Sequence, residues 1–178
     1  MAVKIVLHCS DSGFGNAALI AKWHCLPKEK VIQNGRTYVG RGWSGIGYHY
    51  VILNGWLTST HYNAKFDGYI ETGRPLNDDP FVSKSEMGAH VRGHNVNSVG
   101  ICLIGKSGQF TDNQLNAALE LVSELESQFV DIEIYQHGEL DKAKPFCAGL
   151  NIVRFKENFR LFKEVKKLRK INKKLSGS

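Results

Sequence analysis

The segment that most restricts the fold is 98–105, Ser-Val-Gly-Ile-Cys-Leu-Ile-Gly, which carries no charge. A short, almost wholly apolar run reads as a strand at the centre of a sheet, covered on both faces. A second such run, 4–9, ends in the polar turn Ser10-Asp-Ser-Gly-Phe-Gly15. Helical spacing follows over 16–25, with Leu19, Ile20, Trp23 and Leu26 on one face. It recurs over 112–130, where Thr111 stands as N-cap and Leu115, Leu119, Val122, Leu125 and Phe129 share a face. Residues 131–135 read as one more strand and 151–175 as a final helix. Strands interleaved with helices predict a single α/β domain, a central mixed β-sheet flanked by helices. Residues 27–47 read as irregular, with a turn at Asn34-Gly35. The pairs Asn54-Gly55 and Asp67-Gly68 read as tight turns that join three short strands into a meander.

Charge is unevenly placed. The 178 residues carry 23 basic and 17 acidic side chains, a net +6 with histidines neutral. Residues 156–174 hold +7 of this, leaving the first 155 residues at −1. The basic excess therefore belongs to the C-terminal segment and is no argument that the body binds nucleic acid. No run approaches the roughly 18 apolar residues a membrane span needs. The N-terminus enters a strand pattern at once, with no n-region, h-region or cleavage site, so synthesis in the cytoplasm without a signal peptide is expected. Cys9, Cys25, Cys102 and Cys147 show no regular spacing. In a chain long enough to build its own core they are expected to be free or metal-bound.

Among seven histidines, His8 ends the first strand and His137 follows the last, with Cys147 in the loop beyond. Strand ends are where α/β folds gather functional groups. Two imidazoles and a thiolate with an open fourth position would suit a catalytic zinc. Spacing alone leaves open three unrelated structural residues.

Several blocks, in order, carry a resemblance: Val6-Leu-His-Cys-Ser10, Lys22-Trp-His24, Gly45-Ile-Gly-Tyr-His-Tyr50, Glu71-Thr-Gly-Arg74, Gly88-Ala-His-Val-Arg-Gly-His-Asn95, Asn97 to Gly105, Phe110 to Leu115, and His137 to Cys147. Over about 4–155 the chain resembles the zinc-dependent N-acetylmuramoyl-L-alanine amidases of the type-2 class. That class includes the small phage lysozymes of the T7 type and is related to peptidoglycan recognition proteins. The resemblance implies Zn2+ as cofactor and His8, His137 and Cys147 as its ligands. It implies hydrolysis of the amide between the lactyl group of N-acetylmuramic acid and L-alanine, as in a phage or prophage endolysin. Relatives that only bind peptidoglycan typically lack the cysteine ligand, so Cys147 favours an enzyme over a recognition protein. A cytosolic wall-recycling amidase is the other alternative.

By the same resemblance Tyr48 matches a catalytic tyrosine, and a lysine shortly before the third ligand stabilises the oxyanion. The loop here is longer than usual and offers Lys142 and Lys144; Lys144 keeps the more typical offset. His90, His94 and Asn95 fall in the loop that lines the substrate cleft, with Trp23 and His24 along the same groove. His49, pointing to the opposite strand face from Tyr48, reads as a packed histidine. Residues 27–42 and 54–68 look longer than in the smallest phage enzymes; they read either as walls of the groove, with Trp43, Trp56, Tyr62 and Phe66 available to stack on sugar or peptide, or as decoration. The expected organisation is a catalytic domain over 1–155 and a basic helix and tail over 156–178 packed on it, with Phe155, Phe159, Phe162 and Val165 toward the domain. A monomer acting on peptidoglycan after release is expected, with the basic end attracted to anionic wall polymer or membrane surface and no specific nucleic acid partner.

Overall fold

In the computed structural model, which describes residues 2–28, 30–33 and 36–176, the uncharged run forms β6 (Ser98–Leu103), buried at every position. It is the middle strand of a five-stranded sheet. On one side it pairs in parallel with β1 (Val3–Cys9), which pairs in parallel with β7 (Ile132–Gln136). On the other it pairs in parallel with β4 (Tyr50–Thr58), and β5 (His61–Thr72) closes that edge antiparallel to β4. The sheet is mixed, as the interleaved pattern predicts.

Alternation along β1 sorts its side chains by face. Val3, Ile5 and Leu7 join Ile52, Val99, Ile101 and Leu103 on the rear, under α2 (Asp112–Gln128) and α4 (Ile152–Ser176). The front cluster is smaller: Ile20, Ile46, Val51, Leu53, Cys102 and Ile104, covered by the nine-residue α1 (Ala17–Cys25). The front face carries this one short helix, and Cys9 at the end of β1 is half-buried. α1 is anchored at its start, where Asn16 Oδ1 accepts from Leu19 N and Glu71 accepts from Ala17 N. α2 carries a full capping box between Thr111 and Gln114. Gln114 also reaches into the sheet, its amide donating to the carbonyls of Ile52 and Ile104.

Three expectations change. Asn54-Gly55 and Asp67-Gly68 are not turns: β4 and β5 run through them as one long hairpin that reverses after Thr58. Gly55 and Gly68 have φ of 82° and 84°, and the β4–β5 register shifts on either side of Asn54. Left-handed glycines serve bulges as readily as turns, and the sequence signal is the same for both. Residues 27–47 are not wholly irregular, since β2 (Lys30–Gln33) and β3 (Arg36–Val39) pair antiparallel. The turn expected at Asn34-Gly35 lies outside the described residues.

The third change concerns the C-terminal helix. Ile152, Phe155 and Phe159 are buried and Phe162 packs against the rear cluster, but Val165 is 45% exposed. At ~1.5 Å per residue α4 is about 37 Å long, against about 25 Å for α2. It outruns the surface it packs on, and Lys163 pairing with Glu126 at 2.7 Å marks the last turn tied to α2 by an ion pair among the described residues.

Candidate metal centre and active site

β1 and β7 lie in parallel register, Leu7 opposite Gln136. The next residue of each is a histidine, so His8 and His137 come out abreast at one end of the sheet. Their Nδ1 atoms face each other 3.1 Å apart. The chain past His137 makes one turn, α3 (His137–Leu140), and folds back, with Lys144 N donating to Asp141 O and Cys147 N to Lys144 O. Gly138 N then donates to Cys147 O, which pins the returning loop against the histidine turn. Cys147 Sγ thereby lies 4.0 Å from His8 Nδ1, and one ligand atom from each of the three residues falls within 4.8 Å of the others.

These residues fit a metal. His8 is fully buried, and its Nε2 lies 3.1 Å from His90 Nδ1. When His8 donates that hydrogen bond, its Nδ1 presents a bare lone pair toward His137. Two ring nitrogens facing each other beside a sulfur are bridged either by the Nδ1–H of a neutral imidazole or by a cation, and only a cation takes the lone pairs of both together with the sulfur. The charged imidazolium is disfavoured here. Burial, then the neighbouring His90 and His137, hold His8 well below the usual imidazole range, and burial lowers His137. A tetrahedral zinc with nitrogen at ~2.0–2.1 Å and sulfur at ~2.3 Å sets its ligand atoms ~3.3–3.6 Å apart. The observed 3.1 and 4.0 Å bracket that spacing.

The support behind the trio was only partly legible in sequence. His90 is buried behind His8, and its Nε2 reaches Ser98 Oγ at 3.5 Å. Burial and the adjacent His49 lower His90 to about 3, so it stays a neutral acceptor for His8. Gly100 makes room for it: a Cβ there would stand 2.6 Å from the His90 ring. Asp141, one helical turn after His137, holds Oδ2 3.6 Å from His137 Nε2, a buried nitrogen without a hydrogen-bond partner among the described residues. The i, i+4 spacing of His137 and Asp141 was the available signal for this carboxylate. Replacing His90 with alanine is expected to weaken zinc binding ~10–100-fold, measured by chelator competition; unchanged affinity would show that His8 orients without it.

The N-acetylmuramoyl-L-alanine amidase family model matches residues 3–147. The chain belongs to the N-acetylmuramoyl-L-alanine amidase family. It is 29% identical over 167 residues to an endolysin of Klebsiella phage KP32, covering 86% of this chain and 85% of that protein. Its fold is similar to N-acetylmuramoyl-L-alanine amidase LysC from Clostridium intestinale, with TM-score 0.64 and 22% identity over 89% of this chain and 85% of that one. It is also similar to Drosophila PGRP-LB, with TM-score 0.58 and 23% identity over 83% of this chain and 75% of that one.

In this amidase Tyr48 stands over the trio. Its ring centroid is 5.0 Å from that of His8 and 5.4 Å from that of His24. Burial pushes the phenol well above its usual value, so it keeps its proton. Lys142 and Lys144 are both exposed, and the Lys144 charge is felt at His137.

The residues expected along the cleft divide. His24 is buried between Trp43 and Tyr48, and its Nδ1 accepts from Gly47 N at 3.0 Å. Trp23 packs on the front cluster. Asn95 Oδ1 accepts from the amides of His90 and Val91, which closes their loop. His24 is thus turned against Tyr48 and His90 against His8, while Asn95 bonds the backbone of its own loop; the sequence names the residues but not which way each is turned. His94 is half-buried on the same loop. His49 is fully buried, accepting from Gly100 N and donating to Glu86 O, the packed histidine expected. Of the added aromatics, Phe66 packs on the front cluster and Trp43 on His24. Trp56 and Tyr62 are exposed and touch each other beside an open hollow of about 530 Å³.

Proposed function

We propose that this chain is a zinc-dependent N-acetylmuramoyl-L-alanine amidase acting on peptidoglycan in the manner of an endolysin. The observation that carries the reading is the convergence of His8, His137 and Cys147 at one end of the sheet in a chain of this family. The retained Cys147 thiol favours catalysis over recognition alone. Bound zinc would supply Lewis acidity toward the scissile carbonyl and a lowered pKa for water, toward ~7.

The chain's own groups do the rest. His90, through His8, and Asp141, beside His137, keep the two imidazoles aimed at the metal. Tyr48, protonated and held between His8 and His24, donates a hydrogen bond to the carbonyl oxygen as negative charge grows there. Lys144 brings its ammonium to the same charge from the returning loop, and the choice of Lys144 over Lys142 rests on the proximity of its charge to His137. Water adds to the lactyl carbonyl, the bond to the L-alanine nitrogen breaks, and that nitrogen leaves as an amine with a proton gained. Lys144→Ala is expected to lower kcat by ~10²–10³-fold, with Lys142→Ala close to wild type; equal losses would withdraw the assignment.

The experiment that tests the function is mass spectrometry of products from defined muropeptides. A free lactyl carboxylate and a peptide beginning at L-alanine are expected; cleavage within the peptide or glycan would reject the reading. The exposed basic end of α4 suits anionic wall polymer. Truncation after Val165 is expected to weaken sedimentation with cell walls at low salt and to spare cleavage of small soluble substrates. If sedimentation does not change, the lysines only solvate the helix.

A further inference from the structure

Cys9 has no part in the chemistry above, yet it is the nearest thiol to the candidate metal ligand. It ends β1, one residue past His8, and is half-buried. Its Sγ lies 3.7 Å from Cys147 Sγ, and its backbone N–H donates to the same sulfur at 3.4 Å. The other two cysteines stand apart in kind: Cys102 is fully buried in the sheet, and Cys25 is exposed at the end of α1. We propose that Cys9 and Cys147 form an oxidative modification site, in which a peroxide converts the two thiols to a disulfide and thereby removes a ligand from the metal centre.

The distance to be closed is small. A disulfide needs its sulfurs at ~2.0 Å, so about 1.7 Å of approach is required from the observed contact. Cys9 is fixed in a strand, but Cys147 sits on a loop in which residues 142–146 are all exposed. The approach is assigned to that exposed side of the loop and to rotation of the two side chains, since Ala148 just beyond is buried in the rear cluster.

The chemistry balances with hydrogen peroxide as the oxidant. The Cys147 sulfur attacks the peroxide O–O bond, taking one oxygen as a sulfenic acid and releasing the other as water. The Cys9 sulfur then displaces that oxygen, the S–S bond forms, and a second water leaves. Two thiols have lost two electrons and two protons in total, and one peroxide has become two waters. A dithiol reductant reverses the change by exchange. A sulfur held in a disulfide has no thiolate to offer a cation, so two imidazoles alone remain. Without Cys9 the sulfenic acid has no near thiol to resolve it, and further oxidation to the sulfinic acid is irreversible by such reductants. Cys9 is therefore what makes the loss recoverable.

The release of metal rests on the proposed function, whereas formation of the disulfide does not. The test uses the full zinc-loaded chain treated with hydrogen peroxide, with zinc release followed by a chromogenic chelator and cysteines mapped by non-reducing peptide mass spectrometry. A Cys9–Cys147 cross-linked peptide is expected together with loss of two thiols and one zinc per chain, and dithiothreitol with added zinc restores both. Cys9→Ser keeps the backbone donor and is expected to lose zinc without the cross-link, to gain two oxygens on Cys147 and not to recover. Circular dichroism and zinc content of Cys9→Ser and Cys9→Ala before oxidation identify a variant that folds. A cross-link with zinc retained would keep the thiol pair but reject Cys147 as ligand. Oxidation confined to Cys25, or equal recovery with and without Cys9, would overturn the proposal.

Discussion

Replacing Cys147 with alanine is expected to strip zinc from the chain and to abolish wall lysis, while the fold survives. A protein zinc site is worth about 10–16 kcal/mol at neutral pH, so one thiolate among its ligands accounts for several kcal/mol, or ~10³-fold or more in affinity. The loss falls on the metal because the side chain does little else: Cys147 is half-buried and belongs to neither hydrophobic cluster. What remains is two neutral imidazoles with their Nδ1 atoms 3.1 Å apart. Metal analysis after dialysis, with a thermal melt as the control for folding, checks the result. Stoichiometric zinc and full turnover in Cys147→Ala would remove this residue from the ligand set and the proposed mechanism with it.

Tyr48→Phe is expected to behave differently, keeping zinc and substrate affinity but lowering kcat by ~10²–10⁴-fold. The ring is held by its neighbours, His8 at 5.0 Å and His24 at 5.4 Å between centroids, and a phenyl ring makes the same contacts. Only the hydroxyl is lost. Because burial raises the phenol far above its ordinary value, the hydroxyl donates throughout the pH range in which the enzyme would work. Its loss should therefore depress the plateau of the pH–rate profile without moving its limbs. An unchanged kcat would leave Tyr48 as a packing residue over His8, and a parallel loss of zinc would make it a structural support for the metal centre.

The same residues show where sequence reasoning stops. His90 and His94 are four apart on one loop, and nothing local separates them, yet His90 is buried with its ring on His8 while His94 stays half-buried. Nothing near Cys9 in the sequence places it beside Cys147, 138 residues on; the loop that folds back from His137 does. Asn54-Gly55 and Asp67-Gly68 read as turns and are bulged strand positions, because whether such a glycine reverses a strand or bulges it depends on the partner strand.

The sequence by itself determined the layers. The uncharged run at 98–105 had to be central, the periodicities at 16–25 and 112–130 had to be helices, and the capping residue Thr111 sets where the second of them begins. Such features follow from local periodicity and backbone chemistry, which act over a few residues. The tertiary structure alone decided which side chains meet. Parallel register between β1 and β7 sets His8 beside His137, the returning loop adds Cys147, and packing against Gly100 turns His90 inward. It also decided that α4 outruns the body near Val165. Contacts between residues far apart in the chain depend on strand order and loop path, and the apolar pattern of the sequence reports only which face of each element is buried.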